Sequence, residues 1–201
     1  HLSLRRQRQM CIRDRWMSFG PSVGDMENVG PHTALIKIEG TIEAKGAGDA
    51  DTVISALTKA YADPGSVGLI LQINSPGGSP VQAGIINDEM TRLRKKYPQK
   101  PLYVVVNEMC ASGGYYIAAA ADRIYVNKAS IVGSIGVLMD GFGFTGTMEK
   151  LGVERRMLTA GNNKGFMDPF SPQTETQKLY AQDMLNEIHA QFIDVVLSLI
   201  H

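Results

Sequence analysis

Short apolar runs of strand length alternate along this chain with longer stretches of helical spacing. Ala34 to Ile42 alternates apolar and polar residues and predicts a first strand. After a glycine-containing loop, a helix is predicted over Asp51–Ala62, with Val53, Ile54, Leu57 and Tyr61 as its inner face. Asp63-Pro64-Gly65 ends it. Val67 to Asn74 is an apolar run of buried-strand length. The turn Ser75-Pro76-Gly77-Gly78-Ser79-Pro80 leads into a helix running to about Lys96, with Ala83, Ile86, Met90 and Leu93 on one face. A third strand is predicted over Leu102–Val106, then a serine turn and a small-residue helix. Arg123–Val126 reads as a short strand, and Ile131–Leu138 as a tight turn entering another. A short helix near Thr147–Leu151 precedes a predicted strand at Val153–Thr159 and a loop over Ala160–Gly165. Ser171-Pro172 fits N-cap and N1 of a last helix, whose inner face would be Met184, Leu185, Ile188, Phe192, Val195 and Leu199.

Strands and helices alternate throughout, so the class is α/β with a largely parallel sheet and flanking helices. At 201 residues and 44% apolar, the chain is long enough for one cored domain. Lys and Arg balance Asp and Glu at 20 each, so no net charge draws it to nucleic acid or anionic membrane. The arginines are unevenly placed: residues 1–16 hold five and a single acid. That segment reads as a non-native, adapter-like leader, residues 17–32 as a linker, and 33–201 as one domain that stops inside a helical pattern. Two cysteines, Cys11 and Cys110, are too few for a disulfide framework and lack metal spacing, so no metal or cofactor is expected. No apolar run approaches a membrane span.

Three polar turns each follow a strand, where ligand sites of open α/β sheets collect. In Ala111-Ser112-Gly113-Gly114, a serine stands at a strand-to-helix turn, where the helix N-terminus favours negative charge. The two glycines let a substrate backbone come close. This suits a nucleophile, and it equally suits an N-cap serine. Ser75-Pro76-Gly77-Gly78 has glycine N–H groups to offer a carbonyl, or is a plain Pro-Gly turn. Gly133-Ser134-Ile135-Gly136 is the third turn.

A nucleophilic serine needs a base. His1, His32, His189 and His201 are poorly placed for one, which disfavours a Ser-His-Asp triad. A lysine is the other known solution, and Lys164, in a loop of small and polar residues, is the best placed. Near pH 7.4 only about one model lysine in a thousand is neutral, a cost of roughly 4 kcal/mol. Lys164 must therefore be desolvated wherever it acts as a base.

Taken together and in order, Ser75-Pro76-Gly77-Gly78, Ala111-Ser112-Gly113-Gly114-Tyr115-Tyr116-Ile117-Ala118, Ala121-Asp122-Arg123-Ile124 and Gly133-Ser134-Ile135-Gly136-Val137 resemble the signal peptide peptidase A (protease IV) family, which includes SohB. The resemblance covers roughly residues 33–200 and implies a Clp protease/crotonase-like fold and a Ser/Lys dyad. Carried over by residue, Ser112 matches the nucleophile and Lys164 the general base. Ser134 matches a serine that helps hold the lysine, and Gly78 and Gly113 match oxyanion donors. Cys110 reads as packing and Asp122 as structural. The resemblance further implies hydrophobic membrane-derived peptides, such as cleaved signal peptides, as substrates. It also implies a homo-oligomeric ring with the dyad shared between protomers, and association with the bacterial inner membrane through an N-terminal anchor that this sequence lacks. A phage head-maturation protease is a variant of the same reading. A crotonase-like acyl-CoA enzyme and a non-catalytic scaffold are the alternatives, disfavoured because Ser112 and Lys164 are both present.

Overall fold

The computed structural model describes residues 30–46, 48–161 and 163–198. The predicted leader, most of the predicted linker and Leu199 lie outside the described residues. Among the described residues, five strands and five helices follow in the order β1 (His32–Glu39), α1 (Ala50–Ala62), β2 (Ser66–Ser75), α2 (Pro80–Lys96), β3 (Leu102–Ala111), α3 (Gly113–Ala118), β4 (Arg123–Tyr125), β5 (Ile131–Gly133), α4 (Thr145–Lys150) and α5 (Glu175–Leu197). The sheet order is β1-β2-β3-β4, and β5 also pairs with β3. Every pairing is parallel, as the alternation of strands and helices predicts.

The core forms where two periodicities meet. Ile36 and Ile38, Leu69, Leu71 and Ile73, and Leu102, Val104 and Val106 recur every second residue, and all are buried. Against them pack Val53, Leu57 and Tyr61 of α1 and Ala83, Ile86, Met90 and Leu93 of α2, spaced as helical faces. Burying a side chain of this size contributes about 1.5–3 kcal/mol, so these residues dominate the stability of the domain. Both helices are capped by their own sequence: Asp49 Oδ1 accepts from Thr52 N at 3.0 Å, and Ser79 Oγ from Gln82 N at 3.4 Å.

β3 is the organising strand. It runs to Ala111, five residues past the predicted end, and shares one edge between two short strands. Tyr103–Val105 pairs with β4, and Met109–Ala111 with β5. Asp122 serves that arrangement. Its carboxylate pairs with Arg94 and accepts from Leu102 N at 2.8 Å, pinning the start of β3 to α2.

The second half departs from the predictions. Ile131–Leu138 is not a turn entering a strand but the reverse. β5 ends at Gly133, and positive φ at Gly133 (102°) and Ser134 (55°) turns the chain off the ladder. Val153–Thr159 is not a strand: its alternation finds no partner strand, and Arg155 and Arg156 pair instead with Asp168 and Glu154. α5 starts later than predicted. Ser171 N is bonded to Asp168 O at 3.3 Å within the preceding turn, and Thr174 is the N-cap, in a reciprocal capping box with Gln177. The predicted inner face of α5 is only half buried, except Phe192, which meets Tyr116 of α3 edge-on at 5.1 Å.

Candidate active site

Ser112 sits where β3 turns into α3, and its backbone is unusual. Its φ of 49° and ψ of −123° lie where few residues other than glycine go. The surroundings hold it there: Ser112 N donates to Gly133 O at 2.8 Å, and Tyr116 N to Ser112 O at 2.9 Å. Ser112 occupies the N-cap position, yet its side chain makes no capping hydrogen bond. The hydroxyl is not spent on the helix, and the residue is only half buried. α3 has six residues, so any dipole it offers is small.

The turn after β2 wraps around this serine. A methyl group on Gly77 would lie 2.7 Å from Ser112 Cβ and 2.8 Å from Gly113 N, so only glycine permits the approach. Gly77 N donates to the fully buried Ser75 Oγ at 3.1 Å. Gly78 is bridged to Ile42: Ile42 N donates to Gly77 O at 2.9 Å, and Ser79 N to Ile42 O at 2.7 Å. These bonds leave the N–H groups of Gly78 and Gly113 without a protein acceptor among the described residues. A methyl group on Gly113 would stand 3.4 Å from Gly78 N, so the two donors are neighbours. A hydroxyl beside two free N–H groups is what acyl transfer requires of one end of a site.

The remaining predicted residues are not all gathered there. Ser134 follows Gly133, whose carbonyl accepts from Ser112 N, and is therefore one residue from that backbone contact. Lys164 is elsewhere: it is exposed in a turn, its N–H donates to Gly161 O at 3.4 Å, and no hydrogen bond joins it to Ser112. The histidines do not replace it. His189 is exposed, and His32 stands with Nε2 3.2 Å from Asp63 Oδ2. Cys110 is fully buried, and burial pushes its thiol up to about 12, which removes it as a nucleophile. Among the described residues no group of acidic, histidine or cysteine side chains could hold a metal.

Sequence reasoning missed the positioning groups. Ser75 Oγ and Gly133 O hold the two turns, and the paired small residues at each turn were the signal that a close approach had to be accommodated. Two concavities, of about 300 and 380 Å³, lie beside Arg94 and Ser198 and beside Phe170, and Ser112 lines neither.

Residues 94–198, more than half of the chain, match the model of Peptidase family S49, and the chain belongs to that family. The match spans β3, the serine turn, β4, β5 and the Lys164 loop. Similar proteins include the Na(+)/H(+) antiporter NhaA of Brucella melitensis, 42% identical over 169 residues, covering 81% of this chain and 23% of that protein. "Putative signal peptide peptidase SppA" of Enterococcus faecium is 33% identical over 143 residues, 71% of this chain and 41% of the relative. Protease 4 of Haemophilus influenzae is 32% identical over 174 residues, 84% of this chain and 28% of the relative. The chain thus spans less than half the length of each of these relatives. Among solved structures, a serine-to-alanine mutant of the 1510-N membrane-bound stomatin-specific protease aligns with a TM-score of 0.45 and 19% identity, over 57% of this chain and 51% of that one. Among the described residues no helix is long and apolar enough to cross a membrane.

Proposed function

We propose that this domain is a serine endopeptidase in which Ser112 attacks the scissile carbonyl and Lys164 is the general base. The observation that carries the reading is the Ser112 backbone. A residue held at φ 49° with its hydroxyl free, next to two unspent N–H groups, is strained for a purpose other than capping a helix. Gly78 and Gly113 would receive the oxyanion, each donor lowering the barrier by about 2.7–4 kcal/mol. Ser134 would help hold the lysine. Lys164 takes the Ser112 proton, hands it to the leaving amine as the C–N bond breaks and the acyl-enzyme forms, and, neutral again, activates the water that hydrolyses the ester.

The exposure of Lys164 bears on how the enzyme is assembled. A base must be desolvated, and a solvated lysine is almost entirely protonated at neutral pH. A neighbouring copy supplies the missing cover, so the working form is a homo-oligomeric ring with the dyad shared between protomers. The segment between β5 and α5 supports this: Leu138, Phe142, Leu151 and Leu158 are each at least 72% exposed. Substrates are hydrophobic membrane-derived peptides such as cleaved signal peptides, and the enzyme works at the bacterial inner membrane.

The test is hydrolysis of a fluorogenic peptide with small or apolar residues at the cleavage site, with the mass of the assembly recorded alongside. Wild type should cleave as an oligomer, while Ser112→Ala and Lys164→Ala should assemble and stay inactive. Full activity in Lys164→Ala removes the base assignment, and full activity in Ser112→Ala removes the peptidase reading.

A further inference from the structure

The loop that carries Lys164 is joined at its base by one ion pair. Arg155, on the leg leaving α4, donates from Nη1 to Asp168 Oδ2 on the returning leg. The same nitrogen reaches Ser171 Oγ at 3.4 Å, and the guanidinium carbon stands 5.7 Å from the Phe170 ring centre. The Asp168 side chain is only 14% exposed. Its other oxygen accepts from Phe170 N at 3.5 Å, and Asp168 N donates to Gly165 O at 3.2 Å.

The two legs also touch nearer the lysine. A methyl group on Gly165, the neighbour of Lys164, would meet Met157 Cε at 3.1 Å. Behind the pair the returning leg is fastened to the start of α4: Phe170 stacks on Phe144 at 5.4 Å, and Phe144 N donates to Pro169 O at 2.7 Å. Met167, between Lys164 and Asp168, holds a φ of 63°, which a methionine keeps only where its flanks are fixed.

We propose that the Arg155–Asp168 pair is a positioning device for Lys164, a proposal that rests on Lys164 being the base. Both residues are assigned to act through Lys164 rather than on substrate. An exposed ion pair does little, but here the carboxylate is mostly buried and the guanidinium also stands over an aromatic ring. The legs are therefore fixed in register, and the lysine four residues from Asp168 is presented in one place. Proton transfer is sensitive to that place, since a misplacement of about 1 Å costs on the order of 100-fold.

The experiment compares Arg155→Gln, Asp168→Asn and the exchanged pair Arg155→Asp with Asp168→Arg in the full chain, beside Lys164→Ala. It reads kcat and KM for the fluorogenic peptide across pH, the mass of the assembly, and amide exchange in the loop. The expected result is a fall in kcat of about 10–100-fold with KM nearly unchanged. Loop exchange should quicken, the assembly should persist, and the exchanged pair should recover most of kcat. If Lys164→Ala is inactive while Arg155→Gln keeps the wild-type kcat, the positioning role alone is refuted. If Lys164→Ala remains active, the base reading fails and the proposal falls with it. Loss of the assembly together with activity would show a structural role and overturn it as well.

Discussion

Replacing Ser112 with glycine should remove hydrolysis and make the domain more stable. Ser112 is a non-glycine residue at φ 49° and ψ −123°, and such conformations cost about 1–3 kcal/mol. Glycine relieves that strain. Against it stands the extra freedom glycine gains in the unfolded chain, about 0.5–1 kcal/mol. The net is a stabilisation of about 0–2.5 kcal/mol, and for a domain of this size each kcal/mol raises Tm by about 2–4 °C. Ser112→Ala keeps the β-carbon and its strain but loses the hydroxyl. Because that hydroxyl caps nothing, its stability should stay within about 0.5 kcal/mol of wild type, whereas loss of a working cap costs about 0.5–2 kcal/mol. Urea unfolding followed by circular dichroism, at one fixed protein concentration so that assembly does not intrude, separates the cases. A glycine variant less stable than wild type, or an alanine variant down by more than about 1 kcal/mol, would refute the idea that the turn stores strain for a free hydroxyl.

Gly78→Ala places a methyl group 2.1 Å from Ile42 O at a φ of +151°, so the Ile42–Gly78 bridge must open. Two backbone hydrogen bonds at about 0.5–1.5 kcal/mol each and about 1–3 kcal/mol of backbone strain put the loss at roughly 2–6 kcal/mol. Surviving folded protein should show kcat reduced about 100–1000-fold in the peptide assay; a variant with wild-type kcat would remove Gly78 from the oxyanion role. Cys110 should resist maleimide at pH 8 in a Cys11→Ser background and react once the chain is unfolded in urea. Rapid labelling of the folded protein would contradict its burial. Its thiol also sets a sign for pH dependence. The folded value, about 12, lies above the ordinary value near 8.5, so this group's contribution is whole below about pH 8.5. It declines as pH rises toward 12, because the unfolded chain releases a proton that the folded chain retains. An unfolding free energy that rose across that interval in wild type, relative to Cys110→Ala, would reverse the assignment.

The first half of the chain was legible because its elements are local. The inner faces of α1 and α2 follow helical spacing, and each helix carries its own capping residue and a strand before it, so Val53, Leu57, Met90 and Leu93 could be assigned to the core without knowing their partners. The serine turn was legible as a place of close approach for a related reason: glycines beside a serine after a buried strand let another backbone come near. The sequence left Ser112 open between cap and nucleophile, and the folded backbone, with its positive φ and no side-chain capping bond, speaks against the cap. From β5 onward the pattern misled. Val153–Thr159 alternates like a strand, but a strand is a relation between two chains of hydrogen bonds, and the free edge of β3 is already taken by β4 and β5. The pairing of Arg155 with Asp168 is likewise a matter of where two legs of a loop meet, which neither residue announces by itself. Residue types determined which chemistry was possible; long-range contacts decided which groups stand together, because proximity across the fold is a property of the packed chain and not of its order.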